Sequence, residues 1–176
     1  MSLSHAVLTS LLEKASSGYD LARRFDKSIG YFWHATHQQI YRELARMEAA
    51  GWIASSAAPD AGKTRKREYR VLPAGRAELV RWAHAPSPPM DLRDEFMVKL
   101  RADARLGDVD LRPELLRQVE QHQEKLAHYR RIEAKDFPHD RVLTRELRIQ
   151  HMILKKGILY EEVSIGWARD MLDVLA

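Results

Sequence analysis

Residues 85–89 read APSPP, and three prolines in four positions constrain this chain more than any other feature. Proline lacks a backbone N–H and its ring clashes with the carbonyl one turn earlier, so no helix passes through this stretch. It reads instead as a stiff extended spacer. The 176 residues are therefore expected to form two small domains, 1–85 and 91–176, with a linker at 86–90. Charge divides along the same line. Residues 1–85 carry 13 Lys/Arg against 8 Asp/Glu, a net +5, whereas residues 86–176 carry 16 against 17, a net −1. A basic half joined to a neutral half points to one part that meets a polyanion and a second part with another task.

Hydrophobic residues make up 45% of the chain, enough for packed cores, and there is no cysteine. Disulfide frameworks and thiolate metal sites are excluded, and a reducing compartment is the simplest fit. The N-terminus, MSLSHAVLTSLLEK, has no basic n-region and too short an apolar run for a signal peptide. No segment approaches the roughly 20 apolar residues of a membrane span. The expectation is a soluble, cytoplasmic protein without membrane attachment.

Within the first half the predicted elements are short. Val7, Leu8, Leu11 and Leu12 give Ser4–Glu13 a helical period, and Leu21, Ala22 and Phe25 do the same for Tyr19–Ser28. Thr36 followed by Gln39 forms a capping-box pattern that starts a third helix, and Gly51 ends it. Trp52–Ser55 and Glu68–Leu72 read as paired strands around the turn residues Pro59-Asp60-Ala61-Gly62, and Pro73 opens a fourth helix. Beyond the spacer the pattern is helical throughout: Leu92–Leu106, Pro113–Lys135 and one long helix from Asp140 to Leu175. Leu115, Val119, His122, Leu126 and Tyr129 alternate steps of four and three, a coiled-coil seam. Gly157 and Gly166 inside the last helix mark close backbone packing or a break. The fold class is mainly α with a small β-wing.

Helix, helix, turn, helix, strand, basic loop, strand, helix is the order of a winged helix-turn-helix. Lys63, Arg65, Lys66 and Arg67 then belong to the wing, where they would meet phosphates or the minor groove with little sequence information. In the third helix, Ile40, Leu44 and Met47 form the inward stripe, leaving Gln38, Arg42, Ala45 and Ala49 outward and Gln39 and Arg46 flanking. Gln pairs with adenine edges and Arg with guanine edges in the major groove. Gln38, Gln39 and Arg42 lie in the N-terminal turns that enter deepest, while Tyr41 is placed to reach a phosphate. Gln39 cannot both cap the helix and fully read a base. Each of these residues alone is an ordinary solvated side chain; the ordered combination points to double-stranded DNA. The competing class is a winged-helix protein-interaction module without sequence-specific DNA binding.

At this point the chain resembles a known family. HAVLTSLLEKASSGYDLARRF, HQQIYRELARMEAAGWI and KREYRVLPAGRAEL look like the N-terminal domain of PadR-type transcriptional regulators. The matching positions are Leu8, Leu11 and Leu12; Ser17, Gly18, Tyr19 and Leu21; Ile40, Tyr41, Leu44, Glu48 and Gly51; and Tyr69, Val71, Gly75 and Arg76. Leu72 departs from the pattern, standing where the family often has a Thr helix cap. The resemblance covers about half the chain. It implies a homodimer formed by the C-terminal helices, binding to an inverted-repeat operator, usually repression, and release by a small, often phenolic, effector. Residues that could serve an effector site are Trp33, His34, Phe96, His122, Tyr129 and Trp167, although those four from Phe96 onward also fit ordinary helix packing.

Catalysis and cofactors find no support. The close histidine pair, His34 and His37, has no carboxylate at zinc-site spacing, and HExxH, GxSxG, P-loop and dinucleotide fingerprints are missing. A regulator with no metal, no cofactor and no enzymatic activity is expected.

Overall fold

The computed structural model describes residues 3–57, 67–87, 93–140 and 142–176. The chain divides into two compact units, Met1–Met90 and Asp91–Ala176. It is mainly helical: a winged helix-turn-helix with a three-stranded sheet, followed by a helical unit.

The first unit runs α1 (Leu3–Glu13), β1 (Ser16–Ser17), α2 (Gly18–Asp26), a 3-10 turn at Ile29–Tyr31, α3 (His37–Ala49), β2 (Ile53–Ala57), β3 (Arg67–Val71) and α4 (Pro73–His84). Its core is one cluster in which Val7 and Leu8 of α1, Leu21 and Phe25 of α2, and Ile40, Leu44 and Met47 of α3 are all sealed from solvent. Each such side chain contributes about 1.5–3 kcal/mol by leaving water. The helical spacings seen in the sequence account for this cluster directly.

The strand β1 was not anticipated, because Ser16-Ser17-Gly18 reads only as a helix breaker. It nevertheless pairs antiparallel with β3, Ser16 opposite Tyr69, so the sheet order is β1-β3-β2 and β3 is central. Ser17 also caps α2, its hydroxyl accepting from the Asp20 N–H at 3.2 Å and donating to Asp20 Oδ2 at 2.7 Å. Arg24 holds the junction from the other side. Its guanidinium donates to the carbonyls of Ser10 (2.6 Å) and Lys14 (2.9 Å) and to Ser16 Oγ (3.1 Å). Those carbonyls close α1, where the Ser10 carbonyl keeps only a long bond from the Lys14 N–H at 3.3 Å.

Two contacts fix α4. The Leu72 N–H donates to the Trp52 carbonyl at 2.8 Å, and Gly75 lies so close that a Cβ there would stand 2.2 Å from the same oxygen. Leu72 occupies the N-cap position without a side-chain hydrogen bond, and Pro73 follows in the first turn. Farther along, His5 of α1 is buried, its Nε2 2.9 Å from Glu78 Oε1 and its ring stacked on Trp82 at 4.6 Å. Its Nδ1 is buried without a hydrogen-bond partner among the described residues. Glu78 also accepts two bonds from Arg81; those bonds first, and the His5 bond second, pull its carboxyl down to about 2.

The second unit contains α5 (Glu95–Leu106), α6 (Arg112–Asp136) and α7 (Arg145–Val174). Asp94 caps α5 through the N–H groups of Phe96 (2.9 Å) and Met97 (3.3 Å), so α5 starts three residues later than the sequence pattern suggested. Thr144 caps α7 through the Leu147 N–H at 3.3 Å, which sets its start at Arg145 rather than Asp140. The helices α6 and α7 run antiparallel, as the pairs His122–Glu161 and Glu133–His151 show. Phe96, Leu111, Leu115 and Ala168 form the buried cluster at one end. Midway, Gly157 lets the Tyr129 ring approach, with a Cβ there falling 3.1 Å from Tyr129 Cε2, whereas Gly166 faces open space and the helix continues through it. Glu161 is 1% exposed in the seam and is held by His122 and, at 3.4 Å, by Lys125.

Two outcomes follow for stability. Gly75→Ala drives a methyl into the backbone of Trp52 and is expected to cost about 1–3 kcal/mol in urea unfolding. Glu78 has its carboxyl lowered from 4.5 to about 2, so its stabilisation is complete above pH 4.5 and lost as pH falls toward 2. Thermal melts of wild type and Glu78→Gln should therefore differ most above pH 4.5 and converge at lower pH.

Candidate nucleic-acid interface

The recognition-helix candidate α3 begins with a complete capping box. The Gln39 N–H donates to Thr36 Oγ1 at 3.2 Å, and the Thr36 N–H donates to Gln39 Oε1 at 2.8 Å. The oxygen of the Gln39 amide is thus engaged at the helix end. With Ile40, Leu44 and Met47 buried, Gln38, Arg42, Ala45 and Ala49 are exposed on the opposite face. Neither Gln38 nor Arg42 has a hydrogen bond or ion pair among the described residues. Their amide and guanidinium groups are free to meet a partner.

The other cations of this surface are differently placed. Arg46 is spoken for within the fold: its guanidinium reaches Glu43 Oε2 at 2.6 Å and Ser4 Oγ at 2.7 Å. Arg67, at the base of the wing, lies 3.3 Å from Glu48 Oε1. Lys63, Arg65 and Lys66 lie outside the described residues. Tyr41 packs against the start of α2, where a Cβ on Gly18 would meet Tyr41 Cε1 at 2.5 Å; its side chain is still exposed. At the same end, His37 Nε2 lies 2.9 Å from Asp26 Oδ2, bringing the start of α3 to the end of α2. The Arg23 guanidinium sits 5.6 Å from the centre of the exposed Tyr19 ring.

Glu48 is a residue whose role sequence reasoning missed, although it was noted within the family pattern. It sits in the last turn of α3, where the helix dipole disfavours a carboxylate. Its Oε1 accepts from Ser55 Oγ at 2.5 Å and from the Ser55 N–H at 3.1 Å, besides lying near Arg67. The Ser55 hydroxyl bond is the main cause holding its carboxyl below the usual range. Only the pairing of α3 with β2 and β3 in space reveals this; a Glu–Ser spacing of seven across a turn carries no signal.

The effector candidates do not converge on one described site. Trp33 packs against the core of the first unit, and His34 is exposed. In the second unit Phe96 is buried beside Ala168, while Tyr129 is buried beside Gly157. Those two contacts lie eleven residues apart on α7, about 16 Å along the axis. His122 is paired with Glu161, and Trp167 is 38% exposed. Among the described residues there is no group of three or more metal-ligating side chains, and no helix is long and apolar enough to cross a membrane.

Comparison with known proteins agrees with this architecture. Residues 7–81 match the transcriptional regulator PadR-like family, and residues 92–176 match the virulence activator alpha C-terminal family. A probable transcriptional regulator of Mycobacterium tuberculosis, Rv1176c, is 41% identical over 99% of this chain and 98% of its own. The negative transcriptional regulator PadR of Bacillus subtilis is 31% identical over 82% of this chain and 87% of its own. Among solved structures, the Vibrio cholerae virulence activator AphA superposes with a TM-score of 0.80 at 34% identity, covering 99% of this chain and all of that one. Bacillus subtilis PadR in complex with operator DNA superposes with a TM-score of 0.87 at 26% identity, covering 98% and 97%. The same protein has also been crystallised with p-coumaric acid, at a TM-score of 0.79. With sequence similarity along nearly its whole length and both family models matched in order, the chain belongs to the PadR-like family of transcriptional regulators.

Proposed function

We propose that the protein is a homodimeric repressor that binds an inverted-repeat operator and leaves it when a small aromatic acid binds. The observation that carries this reading is the outer face of α3, where Gln38 and Arg42 stand unpartnered on a helix whose other face is locked into the core. A helix so fixed presents side chains of defined direction, which major-groove reading needs. Gln38 and Arg42 are assigned to bases. Tyr41, Lys63, Arg65 and Lys66 are assigned to phosphates. Gln39 serves chiefly as the cap, and Arg46 chiefly ties α3 to α1.

The dimer assignment has its own support. On α7 the inward stripe, half-buried at Leu147, His151 and Leu154 and buried at Ile158, Glu161, Ile165 and Ala168, is matched by a second stripe on another face. Ile149, Ile153, Tyr160, Val163, Trp167 and Val174 follow the same steps of four and three, with Lys156 and Asp170 filling the intermediate positions, and all six apolar residues are exposed. A row of this length is a seam without its partner helix. A second copy supplies one with matching chemistry. Two copies would also present two α3 helices to successive major grooves, as an inverted repeat requires.

The effector assignment draws on the relative crystallised with p-coumaric acid. Trp33, His34, Phe96, His122, Tyr129 and Trp167 are retained as candidates for such a ring, Trp167 from its place on the proposed dimer seam. The domain division 1–85, 86–90 and 91–176 is proposed to separate the reading head from the dimerising and sensing part.

Binding of the purified protein to the DNA just upstream of its own gene, with random duplex as competitor, tests the reading. A shift that survives competitor supports the regulator; equal competition together with a flat salt dependence favours the protein-interaction module. Arg42→Ala should cost about 1–3 kcal/mol on the operator and relax discrimination at one base pair, leaving random-duplex affinity nearly unchanged. Val163→Asp places a charge in the exposed seam of α7 and should convert the dimer to a monomer in light scattering while helicity is retained.

A further inference from the structure

We infer that Glu48 acts as a built-in counter-ion: it holds the Arg67 guanidinium away from DNA phosphates and so lowers sequence-independent binding. The inference rests on the DNA-binding reading above and deepens it. Arg67 is the first described residue of β3 and follows directly in sequence on the basic stretch that contains Lys63, Arg65 and Lys66. It faces Ala57 on the last described rung of the β2–β3 ladder. With its side chain 59% exposed, it would otherwise be one more phosphate-binding cation of the wing.

An ordinary exposed ion pair would not prevent that, because ordering two long side chains offsets most of its attraction. Glu48 differs in being fixed before Arg67 arrives. Ser55 donates to its Oε1 twice, from the hydroxyl at 2.5 Å and from the backbone N–H at 3.1 Å. The carboxylate is therefore already in place 3.3 Å from the guanidinium, and only Arg67 has to be ordered. Its position in the last turn of α3, against the helix dipole, gives the helix itself no benefit. Arg46 of α3 is also engaged within the fold, paired with Glu43 at 2.6 Å and bonded to Ser4 Oγ at 2.7 Å. Arg42, on the outward face, has no such acid among the described residues. Cations beside the reading face are thus neutralised internally, while the one aimed outward is left charged and free. Because phosphate contacts strengthen binding to every sequence equally, withholding one lowers the affinity for random and operator DNA alike and flattens the salt dependence of both.

The test measures binding of the full chain to a random-sequence 30-bp duplex between 50 and 200 mM salt, for wild type, Glu48→Gln, Arg67→Ala and the double variant. Glu48→Gln keeps an amide oxygen for Ser55 and removes only the charge. It should steepen the plot of log affinity against log salt by about 0.9 per wing, which makes the loss across this range roughly 3.5-fold larger per released cation. Arg67→Ala should leave the wild-type slope unchanged, and the double variant should match Arg67→Ala. Thermal melting confirms folding, and Glu48→Ala serves as a contrast: a purely structural Glu48 would weaken binding in both Glu48 variants without changing the slope. The inference is overturned by a wild-type slope in Glu48→Gln, by a gain that persists without Arg67, or by a slope that falls in Arg67→Ala alone. Wild-type protein that binds no duplex at any salt would remove the DNA-binding reading itself, and the inference with it.

Discussion

Everything about the first unit depends on a single burial event, the insertion of Ile40, Leu44 and Met47 between α1 and α2. Three side chains on one stripe decide which way α3 is turned about its own axis. A helix rotated by one residue, 100°, would submerge Tyr41 and lift Ile40 into solvent. The outward set of Gln38, Arg42, Ala45 and Ala49 is therefore a by-product of the inward set. The capping box at Thr36 and Gln39 fixes where the helix begins, so both the rotation and the reach of its first turn are determined.

Around that helix the remaining parts act as braces. Arg24 closes the end of α1 against β1, and His37 meets Asp26 where α3 meets α2. Glu48 joins the far end of α3 to both long strands through Ser55 and Arg67. Gly75 then brings α4 onto the backbone of Trp52, so the strand that leaves α3 and the helix that follows the wing share one carbonyl oxygen. These contacts tie the end of each element to the next, which lets a unit of modest size keep the geometry of an exposed face.

How much of this could be read from the sequence depended on the range of the interaction. Helix positions were legible because burial repeats at 3.6 residues, and the cap at Thr36 because both partners lie within three residues. The two-residue strand β1 was not, since Ser16 and Ser17 carry no β signal and acquire strand geometry only from β3, some fifty residues away. The clamp made by Arg24, the His5–Glu78–Trp82 contact and the Glu48–Ser55–Arg67 contact were hidden for the same reason. In the second unit the seam of α6 was visible, but not that a glutamate would occupy its counterpart on α7. Glutamate at an inward position reads as a solvated helix face until its basic partners are brought beside it.

That glutamate governs how the two long helices can align. Their pairings run His122 with Glu161 and Glu133 with His151, so sliding α7 by one heptad, about 10 Å, would set Glu161 beside either Leu115 or Tyr129. Both neighbours are buried and neither carries a positive charge, so the carboxylate would lose the basic partners that compensate it. Apolar seams repeat every seven residues and are nearly blind to such a slide; one charge with its own basic partners makes the scale readable, like the single mark that aligns a vernier. The connecting segment between α6 and α7 is thereby relieved of setting the alignment, and its length can drift over evolutionary time while the hairpin keeps the same register.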